Sequence, residues 1–529
     1  MGLPATSTLA GDDEWVYAVS KRDTLISIAD TYLEPSVGWA KLQKFNNISN
    51  FKLLQPNSKL RIPVAWLKRS ATVAEVLRVQ GEVKIENITK SLSPADKLSV
   101  GDTISTGTES SSTLRFIDGS RLLLAENSNI KLVNLLVYGK TGLVETKLQL
   151  NQGSLDTQVA HQIGGARYEV QSPAMNLGVR GTDFRVGVNA TTGESRSEVL
   201  GGRVAAQGSG NLVALNAGYG TKAEPGKPPL LPKALLSAPE FGEQPSVLKR
   251  VPLKLKWQPV AGASAYRAQV FADKAFERLV KDGVFKENSA KWVDLADGQY
   301  ILRVRAIDQD GLEGLNAHRD FTLKARPEPP FITEPTDGQK VYGDEAALRW
   351  TKSASAVSYR VQLSSTEDFS KMLLDKADGT GSEEKVALTP GKYFWRIASL
   401  TAEGDKGPYS DVQGFTQRKI PASPDSSPPA VSEKELRFGW KANEEGQKFQ
   451  FQFAQDKDFQ QLLLDKTVKE SAVVIPRPKS GSYFMHVKTI DADGFAGPFG
   501  PTQQVEVPPP PPPPPLIFMN RVCVSQCGH

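Results

Sequence analysis

Between residues 237 and 507 the sequence repeats three times with matched internal spacing, and this constrains the fold more than any other feature. Trp257, Trp350 and Trp440 set the phase. Nine residues later come Tyr266, Tyr359 and Phe449; at twelve, Gln269, Gln362 and Gln452; at nineteen, Phe276, Phe369 and Phe459. Gly298, Gly391 and Gly481 follow at forty-one, Tyr300, Tyr393 and Tyr483 at forty-three, and Gly311, Gly404 and Gly494 at fifty-four. Spacing held in register across three copies marks one structural unit used repeatedly.

Each copy is about 90 residues of alternating strands, as in LKLKW, YRAQVF and YILRVRAID. That is the size and strand density of an Ig-like or fibronectin type III β-sandwich. The copies are placed at 237–325, 331–418 and 430–507, with proline-rich joints at 224–232, 326–335 and 419–429 that limit flexing. The tryptophan is read as the core plug and the G-x-Y tyrosine as a corner residue, and the aromatic positions as core rather than a sugar platform. Burying a tryptophan removes about 150–250 Å² from water and contributes roughly 4–6 kcal/mol gross. Loss of Trp350 should therefore unfold its module rather than remove an activity.

At 529 residues the chain is too long for one domain. Its net charge of +5 is too mild for a nucleic-acid binder, which concentrates basic residues in a patch. No run of 18 apolar residues occurs, so no transmembrane segment is expected. Four histidines and two cysteines leave little material for a metal cluster or a thiol enzyme.

Residues 13–66 read as a small α+β domain. Tyr17-Ala18-Val19 is a short strand, and Asp23-Thr24 offers an N-cap before Leu25, Ile28, Ala29 and Tyr32, which share one helical face. A second helix turns Trp39, Leu42 and Phe45 inward and ends at Asn46-Asn47; Leu60–Pro63 closes as a strand. The string YAVSKRDTLISIADTYL…W..LQKFNNISN…LQPNSKLRIP resembles the LysM domain. Arg22 and Asn57 stand where that family usually has glycine, so both turns are expected to differ slightly. The resemblance implies binding of an N-acetylglucosamine polymer, peptidoglycan or chitin, in a shallow groove between two loops. Carried over by position, these are Lys21, Asp23, Thr24 and Leu25 on one side and Ser49, Asn50, Phe51 and Lys52 on the other. Leu25 and Asp23 have a competing structural role, as core residue and helix cap.

Residues 70–222 read as all-β, with short Val-rich strands and turns at Gly101-Asp102, Asp118-Gly119 and Gly201-Gly202. Gly81-Glu-Val83, Leu98–Asp102, Leu114–Ser120, Glu126–Ser128, Ser172-Pro-Ala, Leu177–Phe184 and Leu215–Gly220 follow the order of the periplasmic FecR domain, which the region resembles. That family relays a receptor signal to a sigma factor. The fold is expected to carry over and the sigma-regulator role is not. The Gly178–Phe184 motif is either a recognition surface or a turn fixed by glycine.

Residues 1–12 read as the remnant of a leader, or as disordered, and Met1-Gly2 with Thr6 matches the loose myristoylation pattern. Pro508–Pro515 should form a polyproline II spacer within a 508–529 tail, where Cys523 and Cys527 either close a small disulfide loop or stay as thiols. No catalytic constellation stands out. The cysteines lie in the tail, His161, His318 and His486 fall in three domains, no G-x-S-x-G occurs, and Gly139-Lys140-Thr141 lacks the rest of a P-loop.

The expectation is a multidomain, mainly β, non-enzymatic protein without cofactor or metal, exported to the periplasm or cell envelope. It would bind peptidoglycan or another N-acetylglucosamine polymer and an envelope protein partner. The alternatives are a periplasmic sensor subunit acting through the FecR-like domain and a peptidoglycan hydrolase or its accessory.

Overall fold

Strands form wherever apolar residues alternate with polar ones, and the two helices form where the apolar period lengthens. The structure, a computed structural model, describes residues 14–510 other than 53, 89, 162, 163, 165 and 443. The leader reading at 1–12, most of the proline run, and Cys523 and Cys527 lie outside the described residues. Two compact units divide between Arg326 and Pro327.

In the first unit, strand Glu14–Ala18 pairs antiparallel with Lys59–Pro63, and helices Leu25–Tyr32 and Trp39–Phe45 lie between them in sequence. Leu25, Ile28, Ala29 and Leu42 are buried there. Phe45, expected to face inward, is instead 37% exposed and meets Trp66 edge-on at 5.2 Å. Phe45 is the last residue of this seven-residue helix, and its ring packs at the surface against Trp66 and Arg61. The helix end is clamped by Asn46, whose side chain donates to Arg61 O and accepts from Arg61 N, each at 2.8 Å. Tyr138, Leu143 and Ala166 of the following β region join the same hydrophobic cluster.

The strands from Ser70–Ala71 to Lys233–Ala234 close into one barrel. Its spine is the 15-residue strand Val144–Gln158, which pairs with Asn129–Val137 and Arg167–Gln171 along its first half. Its second half pairs with Arg121–Leu124 and Asp183–Val188. Gly153 makes the change of partner possible. Its φ is +84°, and a Cβ there would lie 2.5 Å from the Ser128 Cα. Asp118-Gly119 closes a hairpin between Ser111–Arg115 and Arg121–Leu124, whereas Gly201-Gly202 joins strands that do not pair with each other. Gly139–Thr141, the P-loop mimic, lies in the turn between Asn129–Val137 and Val144–Gln158.

The three copies fold as two-layer sandwiches, the first in the first unit and the others in the second. Trp257, Trp350 and Trp440 are buried and meet Tyr266, Tyr359 and Phe449 edge-on at 5.5, 5.6 and 5.5 Å. The tyrosine corners recur as well: Tyr300, Tyr393 and Tyr483 donate to the carbonyls of Ala296, Thr389 and Lys479 at 3.0, 2.9 and 2.8 Å. The phenylalanines at the nineteenth position lie apart from the main sandwich cores, although Phe369 is itself buried. Phe276, Phe369 and Phe459 adopt φ of 55, 60 and 54° and turn onto the outer face of the larger sheet, against Arg303, Arg396 and His486. A shared corner holds the second sandwich to the third. Tyr342 stacks on Phe495 at 4.0 Å and donates to Asp491 and Asp493, and Arg418 donates to Asp491 at 2.8 Å.

Gly153→Ala combines a disfavoured φ with a backbone clash, so it should destabilise the barrel by at least about 2 kcal/mol. Thermal unfolding of the full chain followed by near-ultraviolet dichroism would read this; an unchanged transition would show that the strand can bend elsewhere.

Candidate glycan-binding loops and a buried charged joint

The loop before the first helix is built by local hydrogen bonds. Thr24 caps the helix by accepting from Ser27 N at 3.0 Å, while Ser27 Oγ accepts from Thr24 N at 2.9 Å. Asp23 is not the cap; it accepts from Ser20 N and from the Tyr17 hydroxyl, both at 2.7 Å, and so braces the loop onto the first strand. Burial, together with the neighbouring Asp23 carboxylate, pushes the Tyr17 hydroxyl up to about 12. Lys21 and Thr24 are exposed, and Leu25 is fully buried as a core residue.

On the second loop Ser49, Asn50 and Lys52 are exposed. Asn50 Oδ1 accepts from Lys52 N at 3.0 Å, and Phe51 is half-buried with its ring 4.9 Å from that of Trp39. Leu25 from one loop and Phe51 from the other belong to a single hydrophobic cluster, so both loops are anchored on one core. Arg22 and Asn57 take φ of 75 and 66°, the left-handed conformation that favours glycine. The turns therefore keep the backbone form that glycine would give, at a cost in strain that falls mainly on Arg22.

A second group of polar side chains, a charged joint, is not evident in the sequence pattern. Where the barrel meets the first sandwich, Asp156 of the long strand accepts from Arg303 at 2.6 Å and from Arg305 at 3.0 Å. Glu313 pairs with Arg305, accepts from Arg196 at 2.7 Å, and accepts from Arg267 at 3.2 Å. Arg185 donates to the carbonyls of Glu313 and Gly314 at 2.5 and 2.8 Å, and Glu198 accepts from Glu313 N at 3.2 Å. The side chains of Arg185, Glu198, Arg305 and Glu313 are 3% exposed or less. Burial pushes the Asp156 and Glu313 carboxyls up, but the surrounding arginines outweigh it and hold both well below the usual carboxylate range. Glu198 is raised, because burial there outweighs Arg196 and Arg185.

The Gly178–Phe184 motif belongs to this joint. Gly181 turns at φ +67°, with His161 against it, and Phe184 enters the barrel core. Asp183 and Arg185 then line a cavity of about 260 Å³ together with Asp156, Arg303 and His318. One signal in the sequence could have revealed the joint. Arg305 and Glu313 belong to the first copy alone, and the matching positions hold Ala398 and Lys406, then Lys488 and Ala496.

Among the described residues no group of His, Cys, Asp and Glu is placed to hold a metal, and no helix is long and apolar enough to cross a membrane. Residues 17–63 match the family model of the LysM domain, and residues 102–205 match that of the FecR protein. These are binding and signalling domains rather than enzymes. A Deinococcus radiodurans protein is 46% identical over 48 residues, which is 9% of this chain and 19% of that protein. The chain thus spans about a fifth of that relative's length. Among solved structures, the FN1-FN3 domains of chicken CNTN1 are similar at 17% identity, with 51% of this chain and 98% of that one covered and a TM-score of 0.26. The Clostridium thermocellum CbhA fibronectin(III)-like modules are similar at 13% identity, covering 37% and 98%, with a TM-score of 0.23.

Two outcomes follow from these geometries. Arg22→Gly should relieve strain and stabilise the small domain by about 0.5–1 kcal/mol, as a shift of its unfolding midpoint in urea. Glu313→Gln removes the carboxylate charge that Arg305, Arg267 and Arg196 share and should cost about 3–5 kcal/mol, splitting the joint unfolding of barrel and first sandwich in calorimetry. The pH dependence has a fixed sign. Asp156 and Glu313 are depressed in the folded state, so their contribution is present above the unfolded carboxylate value near 4 and is lost as pH falls below it; Glu198 acts in the opposite sense. A calorimetric transition that stays single and unshifted down to pH 2 would contradict this.

Proposed function

We propose that this chain is a non-catalytic protein of the bacterial cell envelope. Its first domain holds an N-acetylglucosamine polymer, peptidoglycan above all, and its β domains engage a protein partner. The observation that carries the reading is the match of residues 17–63 to the LysM domain. The loops at Lys21–Leu25 and Ser49–Lys52, anchored on one core, support it. Backbone amides and short polar groups such as Thr24 and Asn50 suit an acetamide, and Phe51 offers an apolar surface for its methyl. A single module of this kind binds weakly, so retention requires a long polymer or a second attachment through the other domains. Residence in the periplasm agrees with the pairing of LysM and FecR segments in one chain.

A second reading, a sensor subunit, is favoured by the match of residues 102–205 to the FecR protein. The buried joint would make the barrel and the first sandwich respond as one body. Co-purification with a membrane-bound receptor or kinase would favour it over a wall-bound scaffold.

The full chain should sediment with purified peptidoglycan sacculi. A Thr24→Ala, Asn50→Ala, Phe51→Ala variant with unchanged far-ultraviolet dichroism should be retained at least tenfold less. Failure of the parent chain to sediment would overturn the glycan reading, and release of labelled muropeptides would overturn the absence of catalysis.

A further inference from the structure

The joint in the first unit shows what the outer sheet face of a sandwich can do. There Gln269 accepts from Arg303 and donates to Asp282, which also receives Arg267. The ladder orients Arg303 so that its guanidinium reaches Asp156 of the barrel, while Leu279 and Phe276 pack around Leu123. Leu123 and Asp156 are direct partners on adjacent strands. The docked surface is thus a carboxylate beside an apolar side chain, taken by an arginine and a leucine.

The second sandwich repeats the receiving half of this arrangement. Arg360 pairs with Asp375 through two contacts of 2.7 Å, Gln362 donates to Asp375 at 3.1 Å, and Arg396 donates to Gln362 at 2.9 Å. Arg396 is further held between Phe369 and Tyr409, its guanidinium carbon 3.9 and 4.4 Å from the ring centres. Here the counterpart of Asp156 is missing, and the terminal nitrogens of Arg396 donate to no acceptor among the described residues. Met372 occupies the place of Leu279; Leu279 is 4% exposed and Met372 is 43% exposed. Where Glu313 adds negative charge to the first copy, the second has Lys406. The third sandwich has His486 in place of the arginine, stacked between Phe459 and Phe499 at 3.6 and 3.8 Å, so it lacks the guanidinium fork.

We propose that the outer sheet face of the second sandwich, which presents Arg360, Met372 and Arg396 with Gln362 and Phe369 buried against Arg396, is a docking surface for a protein that presents a carboxylate beside an apolar side chain on adjacent strands. Charge and shape select this partner. A prepositioned guanidinium recognises a carboxylate through its fork geometry, and the exposed Met372 supplies an apolar contact beside such an anchor. A second copy of the chain does not offer this surface, because its Leu123 and Asp156 are already covered by its own first sandwich. The proposal rests on the part of the functional reading that gives the chain a protein partner, and it survives if sacculus binding fails.

The test places a photoreactive side chain at Met372 of the full chain in cells that produce it, with Val474, 48% exposed on the third sandwich, as the control position. The expected result is one discrete protein adduct at 372 and none at 474. Mass spectrometry should map it to a segment with Asp or Glu next to an apolar residue. With the captured protein purified, Arg396→Glu should weaken binding at least tenfold, and reversing the partner's carboxylate to Arg should restore it. Met372→Asp, at an exposed site, should weaken binding comparably without disturbing the core. No adduct above the control, an adduct with glycan or with a second copy, or binding unchanged in both variants would overturn the proposal.

Discussion

Burying Asp156 and Glu313 among five arginines is the interaction on which the first unit depends. Charges removed from water are costly unless each is paired and hydrogen-bonded. Here each carboxylate meets more than one guanidinium, and Arg185 places its spare donors on the carbonyls of Glu313 and Gly314. A joint of this kind is weak as a source of raw stability and strong as a source of register. An apolar contact between two sheets tolerates sliding, whereas a displaced Arg305 would take a shared guanidinium from both Asp156 and Glu313. The barrel and the first sandwich are accordingly fixed at one angle.

The same logic, in lighter form, governs the corners. In the first sandwich Asp308 and Asp310 receive Lys233 from the end of the barrel region, and in the third Asp491 and Asp493 receive Arg418, Lys340 and Tyr342 from the second. A D-x-D-G turn thus recurs as the acceptor for the module before it. The second copy has Thr401 and Glu403 at these positions. The copies share a core, and what distinguishes them is which neighbour their surface has been adapted to meet.

This division explains what could be read from residues alone. Core positions announce themselves by period and by recurrence: the tryptophans, the G-x-Y corners and the helix stripe of Leu25, Ile28 and Ala29 needed no partner to be recognised. Phe276, Phe369 and Phe459 recur just as faithfully, yet they line an outer face, because a left-handed turn redirects them and no pattern of letters states a φ angle. Arg22 shows the converse, since a side chain that disfavours the conformation holds it nonetheless. The loops proposed to bind glycan were placed through family resemblance, while the separate tasks of Asp23 and Thr24 emerged only with their hydrogen bonds. The charged joint was hidden for a simple reason. An R-V-R strand on a sandwich surface has the same pattern whether water or another domain lies over it.

The long strand Val144–Gln158 has a mechanical meaning as well. It is hydrogen-bonded on both edges along much of its length and changes partners at Gly153 without a break in the chain. Force applied along such a strand loads many hydrogen bonds in shear at once, instead of opening them one after another as in a zipper. Asp156 sits on this same strand, so tension entering from the first sandwich would be delivered to the element of the barrel best able to bear it.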